Sequence, residues 1–186
     1  IYLKENTSLI DAVNICEEKN INHPVIKNEK GEIAGILRIS ELFKVLKDSL
    51  SFLIEETVNA DTDIELKHCY SKLQFLIKPL IKSDFSVKHI TGITSSFSDA
   101  LTRKVIELSI KELGKSPVEF SFVCMGSEGR KEETLFTDQD NAIIYEDVPK
   151  ESEIYVKEYF NRLGEKVCNS LDFIGYSFCR GNIMAK

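Results

Sequence analysis

The sequence predicts a mixed chain of the α/β (α+β) class, in which short strands near both ends flank a helical middle. Three observations lead there. Runs of β-branched and aromatic residues bounded by turn residues fall near 24–37 and again near 118–125 and 138–145. Between them, apolar residues recur every three or four positions. Hydrophobic content of 42%, charged content of 29% and the lack of any long uncharged apolar run describe a soluble globular chain, neither disordered nor membrane-spanning. A chain of 186 residues can bury roughly 70% of its unfolded surface and hold two compact parts. We expect a first part over 1–50, a helical linker region over 51–115 and a second core over 116–186.

The first part opens with a helix. Ser8-Leu9-Ile10-Asp11 fits a capping box, and Leu9, Ala12, Val13 and Cys16 follow at helical spacing. Pro24-Val25-Ile26 and Glu32-Ile33-Ala34-Gly35-Ile36-Leu37 are strand-like, and Asn28-Glu29-Lys30-Gly31 between them has turn composition, so a hairpin is expected. Ser40 is then expected to cap a helix bearing Leu42, Phe43, Val45 and Leu46. His23, alone beside a proline at a strand start, reads as packing or surface.

This order, with Asn20-Ile21-Asn22-His23-Pro24-Val25 and Gly31-Glu32-Ile33-Ala34-Gly35-Ile36-Leu37, resembles a CBS motif. Such motifs work in pairs and bind adenosine nucleotides in the cleft between copies. The resemblance therefore implies an adenine nucleotide at this part and pairing across a homodimer. One copy is visible, reading as the second of a pair. Arg38 and Glu41 stand where the family commonly has Ser or Thr and, three residues on, a ribose-binding Asp, which argues against ligand binding by this copy.

The middle is helical. Thr62-Asp63-Ile64-Glu65 is another capping box, and Leu66, Cys69, Tyr70, Leu73, Leu76, Ile77, Leu80 and Ile81 form one apolar stripe. Pro79 is expected to kink or end that helix. A second pattern runs from about Ser86 with Ile90, Ile93, Phe97, Leu101, Val105 and Leu108 on one side, and Gly114 is its expected stop. The pair reads as a structural link between sensor and catalytic parts, although Arg103 and Lys104 could reach towards the loop described next.

That loop follows Val118-Glu119-Phe120-Ser121-Phe122-Val123-Cys124-Met125, which reads as a buried strand ended by Gly126-Ser127. Backbone N–H groups in a turn containing Gly126 and Gly129 can converge on an anion, because glycine reaches φ > 0 and leaves no side chain in the way. Arg130 adds a planar fork suited to phosphate oxygens. A second strand is expected over Asp138-Gln139-Asp140-Asn141-Ala142-Ile143-Ile144-Tyr145, where residues two apart share a face. Asp138 and Asp140 then stand side by side. Two carboxylates so close resist joint ionisation unless a cation sits between them, and hard Mg²⁺ with phosphate oxygens fits best. Gln139 is expected to point to the opposite face, and Glu132 to reach back to backbone donors near the loop.

Gly126-Ser127, ten intervening residues and then Asp138-x-Asp140 match the signature of polymerase-beta-like nucleotidyltransferases. The longer pattern, Gly126-Ser127-x-Gly129-Arg130-x-Glu132 with Thr137-Asp138-Gln139-Asp140-Asn141-Ala142, closely resembles bacterial CBS-domain-containing nucleotidyltransferases, relatives of the protein-PII uridylyltransferases. The resemblance extends to Ser98-Asp99-Ala100-Leu101-Thr102-Arg103 and to Cys179-Arg180-Gly181-Asn182-Ile183-Met184-Ala185. It implies transfer from a nucleoside triphosphate, with Gly126 and Ser127 holding the triphosphate and Asp138 and Asp140 holding Mg²⁺ as catalytic metal ligands. Arg130 is expected to join them on the phosphates. The superfamily generally uses a third carboxylate from a later strand. Asp172 precedes a strand-like Phe173-Ile174-Gly175-Tyr176-Ser177-Phe178-Cys179, Asn182 follows it, and neither is a persuasive third ligand.

A net charge of −6 without a basic stripe argues against nucleic acid as partner. Five cysteines, odd in number and without Cys-x-x-Cys spacing, indicate neither a disulfide framework nor a zinc site and fit a reducing cytoplasm. No Gly-x-x-x-x-Gly-Lys-Ser/Thr loop is present, which removes P-loop chemistry. Lacking an initiator Met and stopping where the resembling family continues, the chain reads as part of a longer signalling protein. Two functions follow: a CBS-controlled nucleotidyltransferase acting on a protein or small-molecule acceptor, or a non-catalytic nucleotide-sensing regulatory module. A purely structural dimerisation piece is the third reading.

Overall fold

A computed structural model describes residues 1–82, 87–135 and 137–186, so Ser86, where the second helical pattern was expected to begin, lies outside the described residues. The side chains of Val13, Leu42, Phe43, Leu46, Pro79 and His89 are outside them too. The fold is mixed α and β, as expected. Strand β1 (Tyr2–Lys4) and helix α1 (Leu9–Glu18) lead into β2 (Val25–Lys27) and β3 (Ile33–Ile36). These strands form one small sheet in the order β1-β2-β3, parallel then antiparallel.

Local chemistry explains these elements. Ser8 Oγ accepts the Asp11 N–H at 3.1 Å and donates to the Asp11 carboxylate, capping α1, whose Ala12 and Cys16 are buried. The β2–β3 turn closes through Gly31 N–H to Asn28 O, with Gly31 at φ 81° and the Asn28 side chain accepting the Lys30 and Glu32 N–H groups.

Helix α2 (Ile39–Val58) corrects one expectation. It starts a residue before Ser40, Arg38 is its cap residue without a side-chain cap bond, and the helix continues unbroken past residue 50. Helix α3 (Asp63–Lys82) begins as read: Thr62 Oγ1 accepts the Glu65 N–H, and Glu65 accepts the Asp61 N–H. It runs through Pro79 to Lys82 rather than ending before the proline. Its stripe is buried at Leu66, Cys69, Tyr70, Leu73, Ile77 and Leu80, while Ile81 at the end is exposed. Helix α4 (Val87–Leu113) buries Ile90, Phe97, Leu101, Val105 and Leu108, and stops at Gly114, whose φ is 91°.

Beyond α4 come β4 (Phe120–Cys124), a single helical turn α5 (Gly126–Gly129), β5 (Asn141–Tyr145) and α6 (Lys150–Ile174). Strands β4 and β5 pair antiparallel, Phe120 opposite Tyr145 and Cys124 opposite Asn141. Helix α6 packs on α3, α4 and β5, and its Phe160 ring stacks on Tyr145 at 4.4 Å and meets Phe120 at 5.3 Å. The expected strand Phe173–Cys179 is not formed. Phe173 and Ile174 finish α6, Gly175 turns the chain at φ 140°, and only Ser177 bridges, to Asp138. A side chain at Gly175 would meet the Tyr70 ring, so the turn packs tightly on α3.

Candidate functional site

The β4–β5 register builds the site. With Cys124 opposite Asn141, the next residue out on each side is Met125 and Asp140, and the Met125 N–H donates to Asp140 O at 2.7 Å. The chain then turns at Gly126 (φ 57°) directly over the Asp140 side chain. The glycine-containing loop forms a helical turn, closed by Gly129 N–H to Met125 O and Arg130 N–H to Gly126 O. The first N–H groups of such a turn have no partner within it. Ser127 Oγ sits 3.3 Å from Thr137 Oγ1, tying the turn to the approach to Asp138.

The regular strand starts at Asn141, three residues later than expected, yet Asp138 and Asp140 do lie together. Asp138 is held by its parallel bridge to Ser177, and Gln139 N–H donates to Ser177 O at 2.9 Å. Alternation then sends Gln139 inward. It is buried, and its Nε2 donates to Cys168 O at 3.0 Å and Tyr176 O at 2.8 Å. Asp138 is exposed and Asp140 half-buried. One donor atom each from Asp138, Asp140 and Cys179 lies within 4.8 Å of the others. Among the described residues neither aspartate is in an ion pair. A pair of unneutralised carboxylates under a backbone that leaves no room for a Cβ fits a divalent cation.

Arg130 turns elsewhere. Its Nε pairs with Glu132 at 2.8 Å, both side chains largely exposed, and Glu132 uses its own N–H on Ser127 O instead of accepting from loop donors. Lys104 pairs with Glu107 on its own helix, and Arg103 is exposed. Asp172 is exposed on α6, and Asn182 occupies a turn at φ 58°.

Three acidic residues not singled out above stand near the turn. Burial pushes the Glu128 carboxyl up, and Asp99 and Asp140 push it further. Burial raises Glu133 to about 7; nearby Ser98 opposes the rise, while Glu128 and Asp99 add to it. Glu133 is fully buried and neither of its oxygens has a hydrogen-bond partner among the described residues. Ser98 Oγ lies 2.6 Å from Tyr176 OH, and burial holds that phenol well above its ordinary range. Asp99 and Cys179 fall inside the two outlying motifs, which was the signal available for them; Glu133 had none, since an acidic residue in a polar run reads as surface.

Among the described residues no helix is long and apolar enough to cross a membrane. No curated protein and no solved structure matches the chain. A CBS domain model matches residues 1–48. The model described as putative nucleotidyltransferase DUF294 matches residues 71–186, so α4, the β4–β5 pair, the Gly126 turn and α6 all fall within it, and the chain belongs to that family.

Proposed function

We propose that this chain works in signal transduction as a nucleotidyltransferase, moving a nucleotidyl group from a nucleoside triphosphate to an acceptor with Mg²⁺, under control of its CBS part. The observation that carries the reading is the meeting of Asp138 and Asp140 beneath Gly126. Bound Mg²⁺ supplies charge stabilisation on the attacking and leaving oxygens. Asp138 and Asp140 hold it, and the N–H groups at Gly126 and Ser127 orient the phosphates. Arg130 reaches a phosphate by leaving Glu132; an exposed pair of this kind is worth under about 1 kcal/mol, so the exchange costs little. Helix α2 leaves the CBS part and packs on α3 and α4, which gives the sensor a mechanical route to Asp99.

A non-catalytic nucleotide-sensing module is the second reading. What favours it is that the third donor beside the aspartates is a thiol instead of a carboxylate.

Calorimetric titration of ATP, CTP, GTP and UTP, with and without Mg²⁺, tests both against a doubly substituted D138N/D140N variant. Binding that needs Mg²⁺ and both aspartates supports the transferase and names its base. Metal-independent binding that survives the substitutions supports the sensor, and no binding at all overturns both.

A further inference from the structure

We propose that Cys179 is the third ligand of the Asp138–Asp140 site, and that its thiolate lets the site take Zn²⁺, which then keeps Mg²⁺-nucleotide out. The inference rests on reading the two aspartates as a metal site, and adds to it a regulatory cation.

The position of the thiol is built by the fold. The segment after α6 is tied to the aspartates at several points. Gln139 Nε2 donates to Tyr176 O, Gln139 N–H to Ser177 O, and Ser177 bridges Asp138. Past Cys179 the chain turns through Asn182 N–H to Cys179 O at 3.1 Å and returns to β5, where Asn141 N–H donates to Ile183 O at 3.2 Å. Asn141 Oδ1 then accepts the Ala185 N–H at 2.9 Å. Cys179 is thus held between two anchored stretches with its sulfur on the carboxylate side. It is half-buried and free, whereas Cys16, Cys69 and Cys168 are buried.

The donor set decides the chemistry. Two carboxylate oxygens and one sulfur make a poor match for Mg²⁺, which wants six oxygens in near-ideal octahedral geometry. They match a borderline cation that accepts both sulfur and oxygen in a tetrahedron, with the fourth position left to water or a phosphate oxygen. On binding, the sulfur lone pair fills one metal position and the thiol proton goes to solvent; nothing is oxidised. Zn²⁺ so held occupies the carboxylates that Mg²⁺-nucleotide requires. Alkylation of Cys179 removes the sulfur ligand and the zinc preference with it.

The test titrates Zn²⁺ alone and Mg²⁺ alone into the intact chain by calorimetry. Cd²⁺ is added as a spectroscopic probe, because its bond to a thiolate gives an ultraviolet charge-transfer band. Wild type, C179S and D138N/D140N are compared, with circular dichroism confirming that each is folded. We expect Zn²⁺ to bind wild type at least about tenfold more tightly than Mg²⁺. C179S, close in shape, should lower Zn²⁺ affinity about ten- to a hundredfold, abolish the Cd²⁺ band and lower Mg²⁺ affinity far less, so that the preference for Zn²⁺ is lost. Unchanged Zn²⁺ affinity in C179S, or in D138N/D140N, overturns the proposal. If that happens while Mg²⁺-dependent triphosphate binding still needs the aspartates, the transferase reading stands and only the zinc inference fails. Zinc binding that needs Cys179 and both aspartates, without any triphosphate binding, would leave the zinc site standing and overturn both the transferase reading and the exclusion of nucleotide.

Discussion

Gly126 lies so close to Asp140 that a Cβ on the glycine would sit 2.2 Å from the carboxylate Oδ2 and 3.1 Å from its Cγ. The glycine also holds φ at 57°, so two independent constraints disfavour a side chain there. Gly126→Ala should cost about 1–2 kcal/mol from backbone strain, a fall of a few degrees in Tm. The larger effect falls on the site, because relief comes most easily by rotating the Asp140 carboxylate away from Asp138. We expect divalent-cation affinity to drop at least about tenfold in a calorimetric titration, more than the small stability loss implies. Native affinity in a folded Gly126→Ala variant would show that this contact does not position Asp140.

Gln139 links the aspartates to the far end of α6 through its bonds to Cys168 O and Tyr176 O. Gln139→Leu keeps the bulk and removes both bonds, leaving buried carbonyls without these donors. A cost of about 1–3 kcal/mol is expected in urea unfolding, that of one unsatisfied buried group, because Cys168 O lies inside α6 and keeps its helical donor while Tyr176 O loses its partner. Cation binding should weaken too, because Asp138 and Asp140 flank the residue. A variant as stable as wild type would mean that the pocket around Gln139 closes or admits water.

How much of this was legible depended on whether the signal was local. The capping boxes at Ser8 and Thr62, the Asn28–Gly31 turn and the stripes of α3 and α4 need only neighbours in sequence, and each was readable. The pairing of Asp138 with Asp140 followed from their spacing. Helix α6 left its trace in Val156, Tyr159, Phe160, Leu163, Val167 and Leu171, yet the sequence reading assigned residues 150–171 to no element. The error at Phe173–Cys179 has a physical cause: its aromatic and β-branched composition favours a strand, but Ile174 completes the buried face of α6 and Gly175 turns beside Tyr70. Cys179 near Asp138 and the buried Glu133 are products of tertiary folding, and no local pattern encodes them.

Gly164 offers a test of how the chain's last residues are held. In an exposed helix interior, alanine is better than glycine by about 1 kcal/mol. Here an added Cβ would lie 1.8 Å from Ala185 O and 2.5 Å from its carbonyl carbon, and backbone cannot rotate aside. Gly164→Ala should therefore destabilise, by pushing the segment that carries Ile183 and Ala185 off Asn141. Thermal unfolding decides it, for a raised Tm would mean that the segment moves without loss.

Glu133 makes a prediction about pH. Its carboxyl is buried, has no hydrogen-bond partner within bonding geometry among the described residues, and lies near Glu128 and Asp99. Burial first, with those charges adding to it and against an opposing pull from Ser98 smaller than the effect of burial, pushes it up from 4.5 to about 7. Because the folded-state value is the raised one, the folded protein holds this proton more tightly than the unfolded chain. The stabilising contribution is complete below about pH 4.5 and is lost as pH rises through about 7. The shift corresponds to on the order of 3 kcal/mol across that window. Glu133→Gln keeps the shape and cannot ionise, so it should flatten the decline in stability between about pH 5 and about pH 8 and leave the variant more stable than wild type at the upper end. Asp99→Asn, which removes one of the charges pressing on Glu133, should lower its folded-state value, so that the decline ends at lower pH and is smaller without being abolished. Urea unfolding across that range measures both, and a Glu133→Gln profile as steep as wild type would place the titrating group elsewhere.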